Sequence, residues 1–120
     1  MPKHPIVHVE FSAKDREAAG KFYQALFDWH IQQIPDMNYA TFSTGDGSTG
    51  GGFNPVTEGN PTGTVMVYVE THDIHDTLRK AETLGGKTIS QPMEIPGVGY
   101  FAIFKDPTGN QVGLLEPASS

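Results

Sequence analysis

Apolar and polar residues alternate along Ile6–Phe11, with Val7, Val9 and Phe11 on one side and Ile6, His8 and Glu10 on the other, which predicts a β-strand. The period then changes. From Arg16 to Phe27 the residues Ala18, Ala19, Phe22, Tyr23, Leu26 and Phe27 recur at three- and four-residue steps, an apolar helical stripe behind Asp15 as N-cap. Strands are predicted over Trp29–Ile34, Tyr39–Ser43 and about Gly50–Asn54, the last after a Gly45-Asp46-Gly47-Ser48 turn. The same order then returns. Val65–Glu70 alternates, and His75–Leu84 is helical, with Ile74, Leu78, Ala81 and Leu84 on one side and Gly85-Gly86 as its stop. Thr88-Ile89 starts a strand, Pro92–Gly99 reads as a loop, and strands at Tyr100–Phe104 and Val112–Leu115 flank the turn Asp106-Pro107-Thr108-Gly109-Asn110.

The repetition extends to individual residues. Asp15 matches Asp73 and Leu26 matches Leu84 at an offset of 58, while Phe42 matches Phe104 and Pro55 matches Pro117 at an offset of 62. The predicted architecture is α+β: one domain over residues 1–120, built from two βαβββ modules at about 5–55 and 64–117. A Pro- and Gly-containing linker at 55–63 joins them. One helix and four short strands cannot cover both faces of a sheet, so the modules are expected to pair into a cupped, mostly antiparallel sheet with the helices outside.

Composition narrows the function classes. A net charge of −6, with only 8 Lys and Arg among 120 residues, provides no basic patch for nucleic acid or an anionic membrane surface. The chain has no cysteine, which removes disulfides, thiolate metal sites and Cys nucleophiles. No apolar run approaches the ~20 residues of a transmembrane helix. The strand pattern begins so close to Met1 that no signal peptide is expected, and a cytoplasmic protein is.

Four motifs occur in order: His8-x-Glu10-x-x-Ala13-x-Asp15, Phe22-Tyr23-x-x-Leu26-Phe27-x-Trp29, Ala81-Glu82-x-Leu84-Gly85-Gly86 and Phe104-x-Asp106-Pro107-x-Gly109-Asn110. With the doubled βαβββ pattern they resemble the vicinal-oxygen-chelate superfamily of glyoxalase I, bleomycin-resistance proteins and extradiol dioxygenases, in the form of a small stand-alone glyoxalase-like protein. The resemblance implies the glyoxalase/bleomycin resistance/dioxygenase fold, a small-molecule site in the cup and a homodimer. It does not fix a reaction.

Metal-using relatives place ligands on the first and last strands of each module. By the two offsets these positions fall on His8, Gly51, Met66 and Gly113. Two glycines and a thioether leave one imidazole, whereas a catalytic zinc normally has three protein ligands. No metal or other cofactor is therefore expected. Glu116 lies close to the lost position but is odd-spaced from Gly113, so it should face the other side of its strand. His72 and His75 read as a solvated helix entrance.

The expected cup lining is His8, Glu10, Phe53, Met66, Tyr68 and Leu115, with Tyr39 or Tyr100 at the rim. This suits a protein that binds a small organic molecule, cationic because Glu10 and Glu70 add negative charge. The alternative is an enzyme of the lyase, isomerase or dioxygenase-like kinds, with His8 and Glu10 as an acid–base pair or as part of a non-standard metal site.

Overall fold

The computed structural model describes residues 4–118. Its elements are β1 (Ile6–Ala13), α1 (Arg16–Phe27), β2 (His30–Ile34), a 3-10 turn at Pro35–Met37, β3 (Tyr39–Ser43), β4 (Gly50–Pro55), β5 (Val65–Glu70), α2 (Ile74–Thr83), β6 (Lys87–Ile95), β7 (Gly99–Lys105) and β8 (Gln111–Pro117). The chain is α+β and follows the βαβββ order twice, as the periodicities predict. It divides into two compact units, Val7–Met66 and a second formed by residues 4–6 with 67–118. The divisions fall inside β1 and β5 rather than in the 55–63 segment, which itself carries a small bridge between Thr57 and Asn60.

In the first unit the strand order is β2-β3-β4-β1. β2–β3 and β3–β4 are antiparallel, and β4–β1 is parallel with His8 opposite Gly50 and Glu10 opposite Gly52. The second unit repeats this as β6-β7-β8-β5, again with one parallel pair, in which Tyr68 lies opposite Gly113. Each sheet carries a helix on one face. Beneath α1 the core is Ala40, Phe42 and Phe53, packed by Phe11, Ala19, Tyr23 and Trp29. Beneath α2 it is Ile74, Leu78, Ala102 and Leu114.

Both helices begin where expected. The Asp15 carboxylate accepts from the N–H groups of Glu17 and Ala18, and Asp73 accepts from that of Asp76. α1 ends at Asp28, whose φ of 60° is left-handed. The apolar stripe of α1 is wider than its buried face: Ala19 and Tyr23 reach the core, whereas Phe22, Leu26 and Phe27 are more than half exposed. Leu84 is 78% exposed and lies beyond the end of α2.

The expected loop Pro92–Gly99 shrinks to a turn at residues 96–98. β6 runs on through Pro92 to Ile95, with register shifts against β7 between Thr88 and Ser90 and between Ser90 and Met93. Proline is tolerated there because β6 pairs on one side only within its unit, so a missing N–H costs no ladder bond on the outer side.

Candidate functional site

Strand alternation decides which side chains share a face. On β1, Phe11 packs into the core under α1, so His8 and Glu10 project from the opposite face. On β3, Ala40 and Phe42 are core residues, which turns Tyr39 and Thr41 to the side of His8. On β4, Phe53 is core, so Gly52 and Asn54 turn that way too.

These residues form a hydrogen-bonded line. The Tyr39 hydroxyl donates to Glu10 Oε2 at 2.8 Å and lies 2.8 Å from His8 Nε2. The Asn54 amide donates to Glu10 Oε1 at 3.0 Å. The His8 and Tyr39 rings lie nearly parallel at 16°, with centroids 6.5 Å apart. Glu10 is buried at 9% exposure, where a carboxylate needs such donors. Burial also pushes the His8 pKa below its ordinary value, because the apolar surroundings disfavour the imidazolium.

A Cβ at Gly52 would run into the Tyr39 ring and hydroxyl. In the second unit a Cβ at Gly113 would run into the ring of Tyr68. These two glycines are structural mates. Glu10 and Tyr68 correspond at the offset of 58, and their parallel partners are Gly52 and Gly113. The correct mate of Gly113 is therefore Gly52. Gly51, the residue given by the offset of 62, has its Cβ direction toward Phe42 in the core. The turn after β3 differs by one residue from that after β7, which moves the offset to 61 along β4. The glycine pair remains, one residue along.

The structure sorts the remaining candidates. Tyr68 and Leu115 share the face of Gly113, away from α2, and Met66 alternates onto the same side of β5 as Tyr68. Phe53 is not on the face of His8. It is 1% exposed, lies in the core under α1 and forms part of a cavity of about 320 Å³ with Phe11, Ala19, Tyr23 and residues 63–65. Tyr100 also moves: it pairs with Glu116 and alternates with Phe101 onto the side of Ala102, which is core under α2. A single-residue error in parity explains Phe53, because the Gly-rich strand offered no alternation from which to read its phase. Glu116 faces α2, as its odd spacing implies, and its Oε1 accepts from the Ile74 N–H at 2.8 Å. His72 and His75 are exposed.

Tyr39 is the residue that sequence reasoning underrated. Its signal was present, since an odd-numbered position on β3 opposite Ala40 and Phe42 belongs to the His8 face.

The donor set does not fit a divalent ion. His8 Nε2 and Glu10 Oε2 both meet the Tyr39 hydroxyl, and the two glycine positions offer no side chain. Among the described residues no three His, Asp or Glu side chains come together as a metal site.

A family model for the Glyoxalase/Bleomycin resistance protein/Dioxygenase superfamily matches residues 5–114. The chain belongs to this superfamily. Among curated proteins it is 38% identical over 100 residues to the putative glyoxylase CFP32 of Mycobacterium tuberculosis, covering 81% of this chain and 38% of that protein. It is 30% identical over 117 residues to the anthracycline biosynthesis protein DnrV of Streptomyces peucetius, covering 83% and 42%. The chain thus spans about two fifths of the length of these curated relatives. Among solved structures, methylmalonyl-CoA epimerase from Mycobacterium tuberculosis aligns with a TM-score of 0.73 at 14% identity, covering 95% of this chain and 88% of that one. A superfamily member from Vibrio splendidus 12B01 aligns with a TM-score of 0.65 at 13% identity, covering 93% and 97%. These likenesses carry the fold. No helix among the described residues is long and apolar enough to cross a membrane.

Proposed function

We propose that this member of the superfamily binds a small organic molecule at the face of His8 and Glu10 without a divalent metal. The observation that carries this is the Tyr39 hydroxyl, held between imidazole and carboxylate against a glycine on β4. Relatives named for glyoxylase, anthracycline biosynthesis and epimerase roles support a small organic ligand. Their greater length leaves room for a further domain of this size, which a homodimer would supply from two chains. The absence of cysteine and the net charge of −6 support a cytoplasmic protein that avoids nucleic acid.

A ligand screen by thermal shift, run with divalent metals and with chelator, tests the reading. Bound molecules raise the melting temperature by mass action. Hits should keep their shifts in chelator and lose them in His8→Ala. Protein purified without chelators that carries one divalent ion per chain would overturn it.

A second reading has support from the same line of hydrogen bonds: an enzyme with His8 and Glu10 as acid–base residues. An enzyme of this kind would lose turnover in His8→Ala while its affinity for substrate changed far less.

A further inference from the structure

We propose that the sheet face of the second unit turned away from α2 binds a small organic acid, with its carboxylate at Lys87 and Lys105 and an aromatic body along Ile103, Phe101 and Leu115. This face belongs to the other unit from His8 and Glu10, and the proposal stands without the binding reading given to those residues.

The lysine pair carries the inference. Lys87 and Lys105 lie directly opposite each other in the antiparallel β6–β7 pair. Ala102 and Phe104 pack under α2, so strand alternation turns Lys105, and Lys87 with it, to the other face. Both are exposed. Like charges directly opposite on a sheet repel, so the pair lowers stability unless an anion joins it. Among its described residues the second unit has four Lys and Arg. Arg79 and Lys80 pair with Asp76, whereas Lys87 and Lys105 form no ion pair among the described residues. A lysine on an edge strand guards against stray pairing. That accounts for Lys87 on β6 but not for Lys105, whose strand is hydrogen-bonded on both sides.

Beyond the lysines the face turns apolar. Ile103 and Phe101 stand roughly 7 and 13 Å along β7 from Lys105. Phe101 lies opposite Leu115 on β8 and Met93 on β6, and Met93 is 55% exposed. Ile103 lies opposite Gly113, whose missing Cβ leaves room for the ring of Tyr68. An apolar strip thus begins at two ammonium groups. A carboxylate there accepts from both and removes their repulsion, while an aromatic body covers Ile103 and Phe101. Glu70 is the other charged side chain on this face among the described residues. It lies opposite Leu115, far from the lysines, where it repels a carboxylate and so sets the direction in which an acid lies. The sign is the reverse of the cation that Glu10 and Glu70 suggest by charge alone.

The test is a ¹H–¹⁵N NMR titration of the whole chain with 3-phenylpropionate, with its neutral amide and with inorganic phosphate. The acid should shift the amides of Phe101, Ile103, Lys105 and Leu115 and bind about tenfold more tightly than the amide. Phosphate, which has no apolar body, should bind more weakly than the acid. Lys87→Gln and Lys105→Gln should each remove most of the preference for acid over amide. Each should also raise the urea midpoint at low salt, by an amount that shrinks as salt is added. If Lys105→Gln does not fold, Lys87→Gln and the wild-type comparison of acid with amide decide. Equal affinity for acid and amide, phosphate bound as tightly as the acid, shifts confined to other residues, or an acid preference unchanged in the lysine variants would overturn the proposal. So would a urea midpoint lowered in both variants.

Discussion

At the residue scale, the two mirrored glycines define the chemistry by what they admit. Sequence alone showed that the mirrored positions carry no carboxylate. The structure shows why glycine stands there: an aromatic ring occupies the space, Tyr39 at Gly52 and Tyr68 at Gly113. Gly52→Ala should therefore destabilise the fold by about 1–3 kcal/mol through overpacking. The loss should be smaller in a Tyr39→Ala background, and denaturant unfolding of the double-mutant cycle measures the difference. Additive costs would mean that the ring and the glycine are not coupled. Asp106 offers a separate check. Its carboxylate accepts from the Asn110 N–H and the Thr108 hydroxyl, which lower its pKa to about 2. NMR titration should find it there, and Thr108→Ala should bring it closer to the ordinary value of 3.8. The lowered value stabilises the fold above that ordinary pKa, and the contribution is lost as pH falls toward 2.

Element boundaries were legible where local chemistry marks them. Asp15 and Asp73 cap their helices because a short carboxylate in an extended residue reaches the first free N–H groups. What local pattern could not show was long-range pairing. Pro92 reads as a strand breaker until its strand proves to be at the edge of its unit's sheet. The outward Phe22 and Leu26 read as core because a helical stripe does not reveal how much of its width a neighbour covers. Glu116 shows both sides of this. Its parity was readable, but its partner, the Ile74 N–H 42 residues away, was not. It places a negative charge at the positive end of α2 beside the Asp73 cap, so Glu116→Ala should cost about 1 kcal/mol. The urea midpoint should fall with an unchanged slope. A midpoint equal to wild type would show that the contact contributes nothing in solution.

At the scale of the whole molecule, the repeat was the most informative feature of the sequence, and its irregularity caused the main errors. The doubled βαβββ order came through because helix and strand periods differ and each recurs in the same place. The shift from an offset of 62 to 61 was invisible in a strand reading Gly50-Gly51-Gly52, and one residue in a strand exchanges its two faces. Phe53 was misassigned for that reason. The strand face of His8 was legible because β1 alternates without interruption. Its environment then sets a property of the whole fold. The folded state holds His8 with a lowered pKa, while the unfolded chain titrates it near the ordinary 6.5. As pH falls through that value the unfolded state binds the proton first, so stability declines; above it the two states bind equally and His8 contributes no pH dependence. The melting temperature should therefore fall between about pH 7.5 and pH 5.5. His8→Gln, which cannot titrate, should flatten that interval while leaving the steeper loss at lower pH, where carboxylates protonate. A wild-type profile that His8→Gln leaves unchanged would place the imidazole in an environment that water reaches as freely as in the unfolded chain.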